Sequence, residues 1–185
     1  MTPRTPAEFV KSLIRTIPDF PKPGIQFRDI TTLLNDAEGF RHAVMELAEP
    51  YRQTGAHAIA KVAGIESRGF IIGAPVAIEL GVGFVAIRKP GKLPGERIGR
   101  DYLLEYGSDR LELHAGAIQP GEKVLLVDDL IATGGTALAA ASLIEAAGGV
   151  VAGCAFIVDL PDIGGRKRLE AAGRTVFALC VFEGE

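Results

Sequence analysis

Cysteine and net charge are both scarce in this sequence of 185 residues. Its two cysteines, Cys154 and Cys180, lie in apolar runs and are too few for a disulfide framework, so we expect buried thiols in a reducing compartment. The formal net charge of −3 excludes a global basic field that could hold a nucleic acid by counterion release. Any anion-binding site must therefore be local.

Long apolar segments are also missing. The most hydrophobic stretches, 71–87 and 130–158, are interrupted by charged residues and glycines, and fall short of the roughly 18 unbroken apolar residues of a membrane helix. Residues 1–20 hold no continuous apolar run after their basic residues, so we expect no secretory signal. These absences predict a cytoplasmic protein that does not associate with a membrane.

Two common ligand-binding signatures are absent as well. Gly91-Lys92 is the only Gly-Lys pair, and Ala86 stands five positions before its glycine, which excludes a Walker A loop for ATP. The three histidines lie far apart in the chain, without the spacing of zinc ligands. We predict no metal site built from protein side chains alone.

What the sequence does contain is a regular alternation of short β-rich runs with helical patterns. The predicted strands span 57–63, 83–88, 123–128, 150–158 and 175–181. The predicted helices between them span 67–80, 134–147 and 166–171. This alternation predicts an α/β fold with a mostly parallel central sheet flanked by helices. We expect a single domain over residues 1–185, with the first 55 residues as an N-terminal cap. The cap is predicted to hold a short helix near 7–15, a Pro-rich bend at 17–23 and a helix from about 38 to 53.

A long segment at 89–106 interrupts this alternation. Its sequence, KPGKLPGERIGRDYLLEY, contains two Pro-Gly-type breakers and becomes β-like only at 102–105. Loops of this length inside compact domains tend to be lids or binding loops. We therefore predict a flexible lid that ends in a hairpin, with its partner strand at 110–114.

The strongest chemical signal is VLLVDDLIATGGT, residues 124–136. A buried strand runs into Asp128 and Asp129, and a Thr-Gly-Gly-Thr turn then opens a helix. The glycines let backbone N–H groups approach an oxyanion, and the helix N-terminus adds the positive end of its dipole. Carboxylates beside it can accept hydrogen bonds from sugar hydroxyls. Either half alone fits a capping acid or an ordinary turn, but the whole run predicts a ribose-phosphate site.

This run resembles the phosphoribosyl diphosphate signature of the type I phosphoribosyltransferases. Further segments similar to that family are GIQFRDIT at 24–31, AGIESRGF at 63–70, IRKPGKLPG at 87–95 and YLLEYG at 102–107. The resemblance extends from about residue 20 to residue 181. It implies the fold of that family, a homodimer, and a reaction in which a nucleobase displaces diphosphate from phosphoribosyl diphosphate.

The resemblance also assigns the residues that bind phosphoribosyl diphosphate. It implies that the ribose hydroxyls bind to Asp128 and Asp129. It also implies that the 5′-phosphate binds to Ala132, Thr133, Gly134, Gly135 and Thr136. The residues implied to bind the pyrophosphate are Glu66, Ser67, Arg68, Arg88, Lys89 and Lys92. A cis peptide bond is implied between Glu66 and Ser67. The residues by themselves leave two alternatives open. Arg68 could pair with a surface acid, and a solvated loop could account for the basic cluster of Arg88, Lys89, Lys92, Arg97 and Arg100.

Glu105 is the predicted catalytic acid or base, because the attacking purine must lose a proton. Its strand context alone favours an outward-facing residue, whereas the similarity of YLLEYG to the family lid favours catalysis. Ala132 stands where enzymes for 6-oxopurines carry an Asp, which indicates a 6-aminopurine. By resemblance, adenine binds at Phe27, Arg28 and Leu160, although the context of Phe27 equally fits a core residue.

The implied reaction converts adenine and phosphoribosyl diphosphate to AMP and diphosphate, as in purine salvage. Mg²⁺ is expected as a cofactor held mainly by substrate oxygens and water. One alternative is a transferase for another nucleobase, such as xanthine. A second is a non-catalytic regulator that senses phosphoribosyl diphosphate, which the acidic charge and the lack of a basic recognition helix disfavour.

Overall fold

The computed structural model describes residues 5–53, 55, 58–104 and 107–184, with the backbone alone at 103, 104, 107 and 108. The N-terminal elements are α1 (Pro6–Ser12), β1 (Arg15–Pro18), β2 (Gln26–Asp29), α2 (Thr31–Leu34) and α3 (Ala37–Ala48). The middle elements are β3 (Lys61–Ile65), α4 (Arg68–Leu80), β4 (Gly83–Ile87), β5 (Arg97–Leu104) and β6 (Gly107–His114). The C-terminal elements are β7 (Lys123–Ile131), α5 (Gly135–Ala146), β8 (Val150–Asp159), α6 (Gly165–Ala171) and β9 (Val176–Val181).

The centre of the molecule is a five-stranded sheet in the order β4-β3-β7-β8-β9. Every neighbouring pair in it is parallel, which confirms the predicted α/β class. The chain proceeds outward from β3 in one direction and from β7 in the other, so the strand order reverses between them. Ligands of open α/β sheets bind in the crevice at the carboxyl ends of the strands at such a switch point.

The two faces of the sheet carry separate hydrophobic clusters. Along β7, Leu125 and Val127 point to the face covered by α3 and α4, whereas Val124 and Leu126 point to the face covered by α5. This alternation on a strand buried on both sides explains its continuous apolar sequence. Within the described ranges, no helix combines the length and the apolar character that crossing a membrane requires.

The N-terminal region contains more β-structure than the sequence indicates. The segment predicted as a Pro-rich bend forms an antiparallel hairpin in which Ile17 pairs with Phe27 across β1 and β2. The helix expected to reach residue 53 ends at Ala48, and a short 3₁₀ helix with Pro50 follows it. Proline lacks the N–H that another turn of the helix would need.

The second half of the predicted lid is the first strand of a β-hairpin. β5 and β6 pair from Arg97↔His114 to Leu104↔Gly107, so both strands are longer than the predicted 102–105 and 110–114. Ile98 and Arg100 lie opposite Leu113 and Leu111, two buried side chains of the cluster around α5. Cross-strand pairing and contact with α5 therefore override the weak β-propensity of the segment.

Replacing Leu125 with Ala tests the packing of the sheet. Leu125 is fully buried, so Leu125→Ala should lower the free energy of unfolding by about 2–5 kcal/mol through lost burial and a residual cavity. Met45→Ala is the control, because Met45 lies on α3 with 39% of its surface exposed and its loss should change stability by no more than about 1 kcal/mol. Urea denaturation measures both, and similar losses in the two variants would contradict this assignment of the core.

Candidate active site

A cleft of about 250 Å³ opens at the carboxyl ends of β3 and β7, at the switch point of the sheet. Its lining comes from the ends of both strands, the start of α4 and the start of α5. The lining residues are Ile65, Glu66, Arg68, Lys89, Asp128, Asp129, Leu130, Ile131, Ala132, Thr133, Gly134, Gly135, Thr136, Ala137 and Phe156. The structure therefore brings the acid pair, the glycine-rich turn and Arg68 to one place, as the sequence predicts.

The acid pair lies inside β7, which continues to Ile131 rather than ending at residue 128. Asp129 is buried and its Oδ2 lies 3.0 Å from Nε of Arg68, while its backbone N–H donates to Asp128 Oδ1 at 2.9 Å. Burial and the neighbouring Asp129 raise the pKa of Asp128 well above its ordinary value. Burial also raises the pKa of Asp129, and the charge of Arg68 opposes that increase.

Arg68 reaches the acids because α4 packs unusually close to the sheet. A Cβ at Gly64 would overlap the carbonyl oxygen of Gly69, and would lie 2.8 Å from the ring of Phe84. A Cβ at Gly69 would lie 2.9 Å from the Val127 oxygen and 3.0 Å from Asp128 Oδ1. The glycines of AGIESRGF therefore bring the start of α4 against β3 and β7, a role that no local sequence pattern indicates.

The glycine-rich turn forms the start of α5. Gly134 adopts φ +76°, a conformation that glycine tolerates, and no side chain caps the helix. Gly135, Thr136 and Ala137 form the first turn and line the cleft. The N–H groups of a first helical turn have no partner within the helix, so they are available to an anion.

The basic residues near the cleft are held in ion pairs. Arg88 Nε donates to Glu66 Oε2 at 3.0 Å, and this interaction lowers the pKa of Glu66. Lys89 lines the cleft, and its Nζ contacts Asp109 and donates to the Tyr102 hydroxyl at 3.2 Å. Lys89 thus links the cleft to the β5–β6 hairpin.

Other predicted site residues occupy different places. Phe27 packs edge-on against Phe20 at 5.1 Å between ring centroids, and Arg28 donates to Thr16 Oγ1 at 2.7 Å. Leu160 is buried in the cluster on the α3 and α4 face. The lining of the cleft, as far as the structure describes it, does not include Ser67, Arg88, Lys92, Phe27, Arg28 or Leu160. Glu105 lies outside the described residues.

Two further features bear on the predicted chemistry. The peptide bond between Glu66 and Ser67 is cis, which confirms that prediction. Among the described residues, no group of three or more His, Cys, Asp or Glu side chains could hold a metal ion. The carboxylates of Asp128 and Asp129 are oxygen donors of the kind that Mg²⁺ accepts alongside substrate phosphates and water.

Comparisons with known proteins agree with this architecture. Residues 31–172 match the family model of the phosphoribosyl transferase domain. The adenine phosphoribosyltransferase of Nitrosospira multiformis is 66% identical over 175 residues, covering 95% of this chain and 98% of that protein. The crystal structure of the enzyme of that name from Thermoanaerobacter pseudethanolicus aligns with a TM-score of 0.88 at 46% identity, covering 95% and 99% of the two chains. The Saccharomyces cerevisiae enzyme, solved with adenine and an imino-altritol bisphosphate, aligns at 0.86 and 38% identity, covering 94% and 98%.

The chain therefore belongs to the phosphoribosyltransferase family, and it is an enzyme with the type I fold of that family. Within the family it groups with the adenine phosphoribosyltransferases, which it matches over nearly its whole length.

Replacing Asp128 with Asn should stabilise the folded protein. The raised pKa of Asp128 means that its ionised form disfavours folding, so we expect Asp128→Asn to raise Tm at neutral pH by about 2–4 °C. Because the pKa is higher in the folded state, the gain should grow as the pH rises above the ordinary value of 3.8 and fade below it, where both states are protonated.

Thermal denaturation between pH 4 and pH 8, followed by circular dichroism, measures this effect. Asp101→Asn is the matched control, because the Asp101 side chain is 73% exposed. A lower Tm for Asp128→Asn, or an equal rise in both variants, would show that the buried acid pair is not destabilising.

Proposed function

We propose that this enzyme transfers the 5-phosphoribosyl group of phosphoribosyl diphosphate to adenine, releasing AMP and diphosphate in purine salvage. The observation that carries the proposal is the cleft at the switch point, where a buried acid pair lies beside a glycine-rich helix start. An anion-binding helix terminus next to hydroxyl-accepting carboxylates is what a ribose phosphate requires. The names of the relatives support adenine as the acceptor.

In this proposal the ribose phosphate binds along β7 and α5. The backbone N–H groups of Gly134, Gly135 and Thr136 donate to the 5′-phosphate, and the hydroxyls of Thr133 and Thr136 can add further donors. Asp128 and Asp129 accept hydrogen bonds from the ribose 2′- and 3′-hydroxyls. These hydrogen bonds would compensate the cost of holding two carboxylates in a buried position.

The pyrophosphate binds at the opposite end of the cleft, near Arg68 and Lys89. The partners of these two cations in the structure are Asp129 for Arg68, and Asp109 with Tyr102 for Lys89. A pyrophosphate would exchange these partners for phosphate oxygens, with Arg68 able to bind two of them at once. Glu66, Ser67, Arg88 and Lys92 complete the proposed pyrophosphate site.

The reaction proceeds by attack of a purine nitrogen on C1 of the ribose. The bond between C1 and the pyrophosphate oxygen breaks, and the leaving group takes its electron pair. Glu105 accepts the proton that the purine loses, and Phe27, Arg28 and Leu160 hold the base. The cationic side chains stabilise the charge that develops on pyrophosphate. Mg²⁺, carried mainly by substrate oxygens and water, supplies further neutralisation of that charge when it is bound.

The assembly and the location of the enzyme are part of the same proposal. A homodimer follows from the resemblance to the family, and Ile71 and Ile78 give α4 an exposed apolar face that a second subunit could cover. Both cysteines are free and buried, which supports a reducing compartment such as the cytoplasm.

The base specificity can be tested by measuring pyrophosphate release with Mg²⁺ and phosphoribosyl diphosphate. Adenine, hypoxanthine, guanine and xanthine are compared in parallel, and we expect turnover with adenine alone. Turnover with xanthine would overturn the assignment of the base while keeping the transferase chemistry. Tight binding of phosphoribosyl diphosphate without turnover on any base would instead support a ligand-sensing regulator.

The role of Glu105 has its own test in the same assay. Glu105→Gln should lower kcat for adenine by about 10²–10⁴-fold, the usual effect of losing a general acid or base. Glu96→Gln is the matched control, because Glu96 is an exposed acid of the same segment, and its loss should leave kcat within about twofold. Equal kcat values for the two variants would remove Glu105 from the mechanism.

A further inference from the structure

The phosphate-binding turn rests directly on the backbone of α6. The N–H of Gly165 donates to the Ala132 oxygen at 2.9 Å. A Cβ at Gly165 would overlap that oxygen and lie 2.7 Å from the Gly134 nitrogen, and a Cβ at Gly134 would lie 2.8 Å from the Gly165 oxygen. With no side chain between them, a shift of α6 must be transmitted to the turn.

Arg166 fixes the position of this short helix in the fold. Its guanidinium lies 3.5 Å from Oδ2 of Asp159 at the end of β8, and its Nη2 donates to the Val176 oxygen of β9 at 3.2 Å. A third interaction joins its Nε to Oε1 of Glu170 within α6, at 2.9 Å. One side chain thus connects α6 to the two strands that follow β7 in the sheet.

The ion pair between Arg166 and Asp159 matters because of where Asp159 lies. Its side chain is 3% exposed, and its Oδ1 has no hydrogen-bond partner among the residues that the structure describes. Burial raises the pKa of Asp159, and the charge of Arg166 opposes that increase. The buried carboxylate therefore holds Arg166, and through it α6, in one position.

We infer that Arg166 is a positioning residue for the 5′-phosphate site: it holds α6 against Ala132 and Gly134, and so keeps the N–H donors of the turn aimed at the phosphate. The inference rests on the proposed function, in which this turn binds the 5′-phosphate. Arg166 itself does not line the cleft and touches no substrate in this scheme. Its loss should weaken phosphate binding while leaving the chemical step intact.

The test compares four variants with the wild-type enzyme. Arg166→Met removes the guanidinium but keeps an unbranched apolar side chain, and Arg166→Lys restores the charge without the planar fork. The double variant Asp159→Asn/Arg166→Met also removes the carboxylate that would otherwise stay unpaired. Lys167→Met is the matched control, because Lys167 is an exposed cation of the same helix.

Two readouts separate positioning from stability. We expect Arg166→Met to raise the KM for phosphoribosyl diphosphate and the Kd for AMP about tenfold, with kcat and the KM for adenine within about twofold. Calorimetry with adenosine, which lacks the 5′-phosphate, should give the same Kd for every variant. Arg166→Lys should recover part of the affinity. The double variant should regain Tm relative to Arg166→Met but keep the weak AMP binding.

The inference is overturned if Arg166→Met binds AMP like the wild type, if Lys167→Met weakens binding equally, or if the double variant recovers both Tm and AMP affinity. The last result would show that Arg166 acts through stability alone. If Arg166→Met does not fold, the double variant and Arg166→Lys give the same comparison. Failure of the proposed function is distinguishable, because the wild type would then release no pyrophosphate with adenine, whereas AMP affinity still reports on Arg166.

Discussion

The placement of two adjacent carboxylates, the buried Asp129 and the half-buried Asp128, near the carboxyl end of β7 is the constraint on which the site depends. Charged groups lose favourable hydration when they are buried, and Asp128 and Asp129 also repel each other. The cation of Arg68 offsets part of this cost at 3.0 Å. It can do so only because Gly64 and Gly69 let the start of α4 lie against the strands. Residues without side chains thus bring the charged ones together.

Close backbone packing at glycines also supports the glycine-rich turn before α5. The turn lies between α5, which supplies its N–H groups, and α6, which contacts it backbone to backbone at Gly165. A site that must present several donors to one anion gains from such rigid support, because the donors need no rearrangement when the ligand binds. This support requires a buried charge on Asp159, and among the described residues its one ion-pair partner is Arg166.

The cations near the cleft form ion pairs with acidic side chains. Arg88 pairs with Glu66, and Lys89 pairs with Asp109 of the hairpin. In the proposed function a pyrophosphate competes for such partners, and its binding is then linked to the position of the β5–β6 hairpin through Lys89. In the proposed mechanism, the ion pairs that must rearrange are those of Arg68 and Lys89, at the pyrophosphate end of the cleft.

The sequence by itself determined the α/β class, the parallel sheet and the placement of Asp128 and Asp129 beside the glycine-rich turn, because apolar alternation and a contiguous motif are local properties of the chain. Only the resemblance to the family added Arg68 to this site. Tertiary structure decided the rest. The β1–β2 hairpin and the full length of β5 depend on pairing with a second strand, as of Arg100 with Leu111. The support of the turn by α6 depends on two residues distant in sequence, Ala132 and Gly165. The local sequence likewise does not reveal whether a glycine forms a turn or allows close packing, because that depends on which backbone lies where its Cβ would be.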